Sequence, residues 1–258
     1  MSHRVGGEGA PSVADRVFTV LETCAASRRT LSLVDLVELT GLPKTTLHRV
    51  CWKLVELRVL EHVDGGFRVG PRLYALGATS PELHRLRALG MPWLHQLSSE
   101  SGLVANLGVL CDKRALIVDE VYGTVPLERP KMVGATLPLH ATAIGKTLLA
   151  FGPRELRDEL LADAVLRPFT RHTIVRTSLL REHLERLAES GVSVSREEWR
   201  IGTSGIAVPV LVDGQAVAAL ALVGPGDDAR LRGFAGRLRF AATHLAAALV
   251  PVPTLVAA

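Results

Sequence analysis

The amino-acid sequence predicts an α+β protein made of an N-terminal winged helix-turn-helix and a C-terminal domain with a mostly antiparallel sheet. In the N-terminal part, helical hydrophobic periodicity is followed by a turn signal at Asp64-Gly65-Gly66, as expected for helices that precede a β-hairpin. In the C-terminal part, apolar strands come in pairs around Asp112-Lys113 and Asp213-Gly214, which favours an antiparallel sheet. The 258 residues are enough for two domains, each with its own core.

Composition and the lack of targeting signals predict a cytoplasmic protein. The cysteines Cys24, Cys51 and Cys111 are scattered without the spacing of a metal or redox site, which predicts a reducing compartment and ordinary buried thiols. The first residues lack the apolar core of a signal peptide. The two longest apolar runs are interrupted by Asp213-Gly214 and by Pro251, so neither is expected to span a bilayer. We therefore expect no metal, no cofactor and no membrane partner.

Three helices are predicted in the N-terminal domain. Apolar residues at helical spacing over 13–26 predict the first helix. Ser32 and Asp35 form a capping-box signal for the second, Gly41 is expected to end it, and Pro43 opens the third. The order helix, helix, turn, helix, hairpin is that of a winged helix-turn-helix, whose second turn-joined helix enters the major groove of DNA.

The third helix carries the candidate DNA contacts. The residues that we expect on its buried side are Leu47, Val50, Leu54 and Leu57. The whole chain has a net charge of only +4, which does not by itself establish a nucleic-acid partner, but residues 43–58 hold four cations and one carboxylate. In this motif context we interpret the outward side as a contact surface for double-stranded operator DNA and not as a solvated face. Its candidate contacts are Pro43, Lys44, Thr45, Thr46, His48, Arg49 and Lys53.

Two interpretations stay open for the cations at the edges of this surface. Lys53 and Arg58 lie near the end of the third helix, where a cation either contacts a phosphate or only stabilises the helix dipole. Arg68 in the hairpin is a candidate DNA contact, and it could also simply flank the strand.

The remaining elements predict the division of the chain. We expect a disordered tail over 1–12, the winged helix-turn-helix over 13–70, a linker helix over 71–89 that is broken near Ser80-Pro81, the C-terminal domain over 90–250 and a second tail over 251–258. Within the C-terminal domain we predict a helix over 91–102, strands over 103–123, a helix after Pro138, helices over 153–162 and 178–191, strands over 206–224 and a closing helix over 227–250. This mixture is typical of an α+β domain.

The tripeptide Gly145-Lys146-Thr147 looks like the end of a phosphate-binding loop, but its context argues against nucleotide binding. Such a loop needs a second glycine five positions before Gly145, where this chain has His140. Pro138 also removes one of the backbone N–H groups that would cradle the phosphates. We therefore interpret the tripeptide as part of an ordinary helix.

No catalytic motif stands out in the sequence. Glu197 and Glu198 are adjacent, so their carboxylates would usually point apart and not face each other across a cleft. The nucleophile turn G-x-S-x-G and the zinc motif H-E-x-x-H are absent from the sequence. Cys111 is expected to be a buried small hydrophobe, and His140 a hydrogen-bonding residue at a helix start.

Three stretches, in order, resemble the IclR family of bacterial transcriptional regulators. They are TLSLVDLVELTGLPKTTLHRVCWKLVELRVLEHVDGGFRVGPRLYALG, LPLHATAIGKTLLA and GVSVSREEWRIGTSGIAVPVLVDGQAVAALALVGP. The resemblance implies a homodimer, often paired into a tetramer, that binds operator DNA and holds a small carboxylated or aromatic metabolite in a GAF-like domain. We expect the linker helix to pair two copies around Leu73, Leu76 and Leu83. An enzyme or metabolite sensor that uses the winged helix to dock a protein is the alternative.

The resemblance also implies an effector pocket. The family's pocket residues fall on Leu137, Ala143 and Ile144, on Ser195, Thr203 and Gly205 of a loop over 195–205, and on Ala221 and Val223 of the last strand, with Arg129 on a loop that closes over them. Relatives that bind small oxoacids tend to have an acid, a cysteine and serines where this chain has Ser195, Gly205, Ala221 and Val223. A roomier, more apolar pocket follows, which favours a larger organic or aromatic acid.

Overall fold

A computed structural model describes residues 12–27, 29–129, 131–162, 165–226 and 228–250. The chain forms two compact units, which divide between Pro81 and Glu82. The predicted tails lie outside the described residues, except for Ser12, which caps the first helix. None of the described helices is both long enough and apolar enough to cross a membrane.

The first unit has the predicted order of elements. Its described elements are α1 (Val13–Ala26), α2 (Leu33–Thr40), α3 (Lys44–Glu56), β1 (Leu60–Val63), β2 (Gly66–Val69) and α4 (Pro71–Gly77). The Ser32 hydroxyl accepts a hydrogen bond from Asp35 N at 3.1 Å, which completes the predicted capping box. Gly41 adopts a left-handed conformation (φ 68), which few other residues tolerate, and this turn separates α2 from α3.

The core of the first unit is closed by the inward side of α3. Leu47, Val50 and Leu54 are buried there as predicted, but Leu57 is 40% exposed because it lies beyond the end of the helix. Cys51 takes the fourth buried position, and burial raises the pKa of its thiol to about 12. The expectation for Leu57 is therefore wrong, since helical spacing was extended one residue past the last turn.

The second unit carries the sheet. Its described elements are α5 (Pro81–Ser101), β3 (Val104–Cys111), β4 (Arg114–Val121), β5 (Thr136–Pro138), α6 (Ala143–Phe151), α7 (Arg154–Ala162), α8 (Thr177–Ser190), β6 (Ser193–Arg200), β7 (Thr203–Val212), β8 (Gln215–Gly224), α9 (Asp228–Arg232) and α10 (Ala235–Leu249). The sheet order is β5-β4-β3-β8-β7-β6, and every neighbouring pair is antiparallel. The predicted α+β class and antiparallel sheet are confirmed.

Helices cover both faces of this sheet. Alternate residues of β8 face opposite sides, so that Leu220 and Leu222 pack with α5 and α10 while Ala219 and Ala221 pack with α6. The small side chains on the second face let α6 lie close to the strands. Position 145 of α6 also needs a residue without a side chain, because a Cβ atom on Gly145 would lie 2.6 Å from the Pro138 carbonyl oxygen.

Several predicted boundaries differ from the structure. The linker does break before Pro81, but α5 then runs through Pro92 to Ser101, because Leu94 and Leu97 are buried in the core and offset the hydrogen bond that Pro92 cannot donate. The compact units therefore divide at the start of α5 and not after residue 89.

Three further differences concern the second unit. The closing helix is two helices, α9 and α10, because the chain turns at Gly233 and the Phe234 N–H bonds back to the Leu231 carbonyl at 3.0 Å. The expected loop over 195–205 is the hairpin of β6 and β7, in which Ser195 pairs with Gly205 and Arg196 with Ser204. Cys111, expected to be buried, is half-buried at the end of β3.

Candidate functional sites

The outward side of α3 is the first candidate site. Pro43 occupies the N-cap position, and Lys44, Thr45, His48 and Arg49 are exposed, whereas Thr46 is half-buried. In the described part of the chain neither Lys44 nor Arg49 has an ion-pair partner. Both cations are therefore available to an anionic partner such as the DNA backbone.

The other predicted contacts are already paired within the protein. Lys53 Nζ lies 2.8 Å from Glu56 Oε1 on the same helix, and Arg68 Nη2 lies 2.8 Å from Glu61 Oε2 across the hairpin. All four side chains are exposed by a third or more, so these pairs are weak and a phosphate could replace either carboxylate. Arg58 lies beyond the end of α3 in a left-handed conformation (φ 59).

An aromatic cluster joins α3 to the hairpin, and the sequence predictions missed it. The Trp52 ring lies 4.9 Å from the His62 ring and 5.8 Å from the Phe67 ring, measured between centroids. His48 lies 6.2 Å from Trp52 on the same helix. These contacts fix the hairpin against the helix, which holds two candidate DNA-contacting elements in one arrangement.

A pocket at the start of α6 is the second candidate site. All nine predicted pocket residues line it, from Arg129 and Leu137 to Ala221 and Val223. The sequence predictions missed the remaining lining residues, which are Asn106, Met132, Ala141, Thr142, Trp199 and Ser204. The cavity between these walls has a volume of about 50 Å³, which is below the usual range for small-molecule sites, so a ring-sized ligand would have to move the side chains that line it.

The start of α6 and three strands bring most of these residues together. The Thr142 side chain caps α6 by accepting a hydrogen bond from Gly145 N at 3.1 Å, so the first turn of the helix faces the pocket. Ser195 of β6 pairs in register with Gly205 of β7, and Gly205 pairs with Val223 of β8. Three neighbouring strands thus form the wall opposite the helix.

The polar groups of the pocket are few and buried. The Ser195 hydroxyl donates to the Ala141 carbonyl at 3.2 Å, which ties β6 to the chain before α6. Ser204 is 2% exposed, and its hydroxyl has no hydrogen-bond partner among the described residues. Ser204 lies on the same strand face as Ile206, which packs with α5 and α10, so its side chain points away from the pocket and a ligand there would not reach its hydroxyl.

Arg129, predicted to close over the pocket, is paired with a carboxylate. Arg129 Nη2 lies 2.9 Å from Glu120 Oε2 and 3.4 Å from Asn106 Oδ1, and both members of the ion pair have side chains that are 2% exposed. The second oxygen of Glu120 accepts a hydrogen bond from Met132 N at 2.7 Å. The charge of Arg129 is therefore balanced within the protein.

A buried ion pair lies behind the pocket, and it involves the lysine of the phosphate-loop-like tripeptide. Lys146 is fully buried, and its Nζ donates to Glu198 Oε1 at 2.6 Å and to the Val194 carbonyl at 2.9 Å. Burial lowers the pKa of Lys146, and the Glu198 carboxylate acts in the opposite direction. Lys146 thus holds α6 against β6, and Glu198 faces inward while Glu197 bonds Gly202 N, as expected for adjacent carboxylates.

We expect His183, on α8, to make the second unit sensitive to acid. Burial, with a smaller contribution from Lys146, lowers the pKa of His183 to about 4 from its usual 6.5. Below about pH 6.5, His183 is therefore protonated in the unfolded chain and stays neutral in the folded protein. The free energy of unfolding consequently falls as the pH drops from 6.5 towards 4. His183→Gln should reduce the loss of unfolding free energy between pH 7 and pH 5 by about 1 kcal/mol, allowing for partial exposure.

Urea unfolding at both pH values measures this effect. The matched control is His84→Gln, because His84 is exposed on α5 and its replacement should leave the acid sensitivity as it is in the parent. Equal acid sensitivity in the parent and in His183→Gln would contradict the prediction.

Two family models match the chain. The IclR helix-turn-helix domain matches residues 13–64, and the bacterial transcriptional regulator IclR C-terminal domain matches residues 81–249. The chain belongs to the IclR family of bacterial transcriptional regulators. This IclR-family chain is therefore a regulator with a DNA-binding and an effector domain, and it is not an enzyme.

Individual relatives of the IclR-family chain agree with this assignment. It is 32% identical to the glycerol operon regulatory protein of Streptomyces coelicolor over 198 residues, which are 76% of this chain and 77% of that protein. It is 30% identical over 245 residues to the transcriptional regulator XynR of Escherichia coli, which covers 91% of this chain and 96% of XynR. An IclR homolog from Microbacterium hydrocarbonoxydans, solved in complex with 4-hydroxybenzoate, has a TM-score of 0.80 at 28% identity and covers 92% of this chain and 99% of its own.

The residues missed in this IclR-family regulator had weak signals in the sequence. Lys146 is a lone charge in an otherwise apolar helix, which could have suggested a buried ion pair, but the polar stretch around Glu198 does not mark that residue as its partner. Trp199 follows Glu198 in a polar stretch, and nothing local predicts that its ring faces the pocket. In the described part of the chain no group of three or more His, Cys, Asp or Glu could hold a metal ion.

Proposed function

We propose that this regulator binds double-stranded operator DNA through the outward side of α3, as a homodimer or tetramer, and that a small organic or aromatic acid in the pocket controls this binding. The observation that carries the proposal is that one chain combines an exposed cationic helix with a mostly apolar pocket at the start of α6. Operator DNA lies in the bacterial cytoplasm, where we place the protein.

The candidate DNA contacts differ in whether a carboxylate of the protein already pairs with them. Lys44 and Arg49 are exposed and have no ion-pair partner among the described residues, so they bind phosphates or bases without first losing a carboxylate. Lys53 and Arg68 must first separate from Glu56 and Glu61. We therefore assign the largest contribution on α3 to Arg49, whose guanidinium can contact guanine through two hydrogen bonds.

The exposed side of α4 supports assembly with a second copy of the chain. Among the predicted contacts, Leu76 is 58% exposed, while Leu73 and Leu83 are half-buried. Tyr74, which the sequence prediction did not include, is 73% exposed, and α4 has no buried residue. Covering these apolar side chains in a two-fold symmetric dimer would place two α3 helices on inverted half-sites of a near-palindromic operator.

Charge and hydrogen bonding at the start of α6 support an acid as the effector. The first turn of a helix carries N–H groups without intrahelical partners and a partial positive charge, both of which favour an anion. Ala143 and Ile144 of that turn line the pocket, and Asn106 and Arg129 are among its polar lining residues. Because Glu120 balances Arg129, we propose that the carboxylate lies at this helix start, with Arg129 beside it.

The structural relative from Microbacterium provides the first probe, since it was solved with the aromatic acid 4-hydroxybenzoate. We expect the full-length protein to bind the DNA upstream of its own gene with an affinity that falls steeply as salt rises, because phosphate contacts release counterions. Adding 4-hydroxybenzoate or a related acid should change the affinity roughly 5- to 150-fold, as is usual for allosteric coupling. Salt-independent binding, or a monomer by light scattering with an asymmetric footprint, would contradict the proposal.

Replacing Ala143 with phenylalanine should block the pocket. Ala143 is 4% exposed in the first turn of α6, so a benzyl group there occupies the space of the ligand and should weaken acid binding by at least about tenfold. Operator affinity of the ligand-free variant should stay within about twofold of the parent, since α3 belongs to the other compact unit. Calorimetry with the acid measures the first effect, and a gel shift measures the second.

The matched control for this substitution is Ala143→Ser, which changes the volume little and should retain acid binding. If Ala143→Phe bound the acid as tightly as Ala143→Ser does, the effector site would have to lie elsewhere.

A further inference from the structure

A flat aromatic surface forms part of the pocket wall. Trp199 lines the pocket and is half-buried, next to aliphatic side chains such as those of Met132, Leu137 and Ile144. Within the described part of the chain, Trp199 is the sole aromatic residue among those that line the pocket. Its ring is therefore the flat aromatic surface that a ligand in this pocket would contact.

An irregularity in β6 aims Trp199 into the pocket. Arg196 pairs with Ser204, but the next pair is Arg200 with Thr203, so residues 197–199 are extra on the β6 side. In a regular strand, consecutive side chains point to opposite faces. Here Glu198 and Trp199 both lie on the α6 side of the sheet, the first bonded to Lys146 and the second in the pocket wall. Bulges next to binding sites commonly redirect a side chain in this way.

Several hydrogen bonds hold the bulge in this conformation. Besides the Lys146 ammonium, the Thr173 hydroxyl donates to the Glu198 carbonyl at 2.6 Å, and the Thr170 hydroxyl donates to the Glu197 carbonyl at 2.7 Å. Gly202 N donates to the Glu197 carboxylate at 2.9 Å. The ring of Trp199 is thus attached to a backbone that is fixed on both sides, and such preorganisation lowers the entropy lost when a ligand binds.

We propose that Trp199 determines the specificity of the pocket, by selecting flat aromatic carboxylic acids over saturated ring acids of the same charge and carbon number. The inference rests on the proposed function, in which the pocket binds an organic acid. A flat ring can stack on the indole or meet its edge, and either arrangement requires planarity in the ligand. Such aromatic pairs are worth roughly two- to tenfold in affinity beyond the area that they bury.

Benzoate and cyclohexanecarboxylate test the proposal, because they differ in the planarity of the ring and share charge and carbon number. Calorimetry on the full-length protein should show roughly two- to tenfold tighter binding of benzoate. Trp199→Leu should bring the affinity ratio to about one, and Trp199→Phe should retain a preference for benzoate. The matched control, Trp93→Phe on the opposite face of the sheet, should keep the ratio of the parent.

The outcomes separate this inference from the proposed function. If the parent binds both acids equally, or if Trp199→Leu keeps the preference of the parent, the role of Trp199 is overturned while acid binding stands. If neither acid binds the parent, both the acid effector and the inference fail. In a Trp52→Phe, Trp93→Phe background, benzoate should also change the fluorescence of Trp199, and an unchanged signal on saturation would overturn its contact with the ligand.

Discussion

Replacing Lys146 with methionine is expected to lower the unfolding free energy of the second unit by about 3 to 5 kcal/mol, the usual cost of removing one member of a buried ion pair. Methionine is unbranched like lysine and shorter by one heavy atom, so packing is largely kept and most of the loss comes from charge. The Glu198 carboxylate would stay buried without its cation, and the Val194 carbonyl would lose its donor. Urea unfolding followed by the fluorescence of Trp93 and Trp199 measures the difference.

Two comparisons separate this effect from a general effect of the substitution. Lys113 pairs with Glu159 on the surface, where both side chains are more than half exposed, so Lys113→Met should cost less than about 1 kcal/mol. The double change Lys146→Met with Glu198→Leu removes both charges and should recover most of the loss, except for the Val194 carbonyl. If Lys146→Met costs no more than Lys113→Met, the pair does not hold α6 to β6.

Arg49→Ala is expected to weaken operator binding by about 1 to 3 kcal/mol, or roughly 5- to 150-fold. Arg49 is exposed on α3, in the first two turns after the Pro43 cap, where the recognition helix of a helix-turn-helix meets base edges. A contact to a base should relax specificity at one operator position. A contact to phosphate should instead weaken binding to every sequence and lower the slope of the salt dependence by about one.

Lys53→Ala is the matched control, because Lys53 is a cation on the same helix that is already paired with Glu56. It should cost less than Arg49→Ala in a fluorescence titration with operator DNA at fixed salt. Arg49→Lys distinguishes charge from geometry, since lysine retains the cation and loses the two-pronged contact. Equal affinities for the parent and Arg49→Ala would mean that another side of the first unit faces the DNA.

Local patterns predicted the first unit almost completely. The capping box at Ser32, the left-handed turn at Gly41 and the hairpin turn at Asp64 depend on residues within a few positions of one another, so the sequence signals coincide with the structural causes. The error at Leu57 has the same origin, since a helical spacing does not state where the last turn ends. Strand pairs around short turns were predictable because the turn signal also lies within a few residues.

Interactions between distant residues were not predictable in this way. The polar stretch around Glu198 was expected to be a loop, because its composition suits one, but it forms β6 through pairing with β7. The predicted role of Arg129 left out Glu120, nine residues earlier on another element, whose carboxylate balances its charge. The pocket residues themselves came from the family resemblance, and the structure brings all nine to one cavity.

The amino-acid sequence by itself determined the class of the fold, the order of its elements and the helix that presents Arg49, because periodicity, capping and turn chemistry act over a few residues. Only the tertiary structure decided which charges are buried together and where the pocket has its aromatic wall. Lys146 meets Glu198 across 52 positions of sequence, and a bulge of three residues turns Trp199 towards α6. The ion pair and the orientation of Trp199 both depend on how β6 packs against α6. That packing involves residues far apart in the sequence, so no local pattern predicts it.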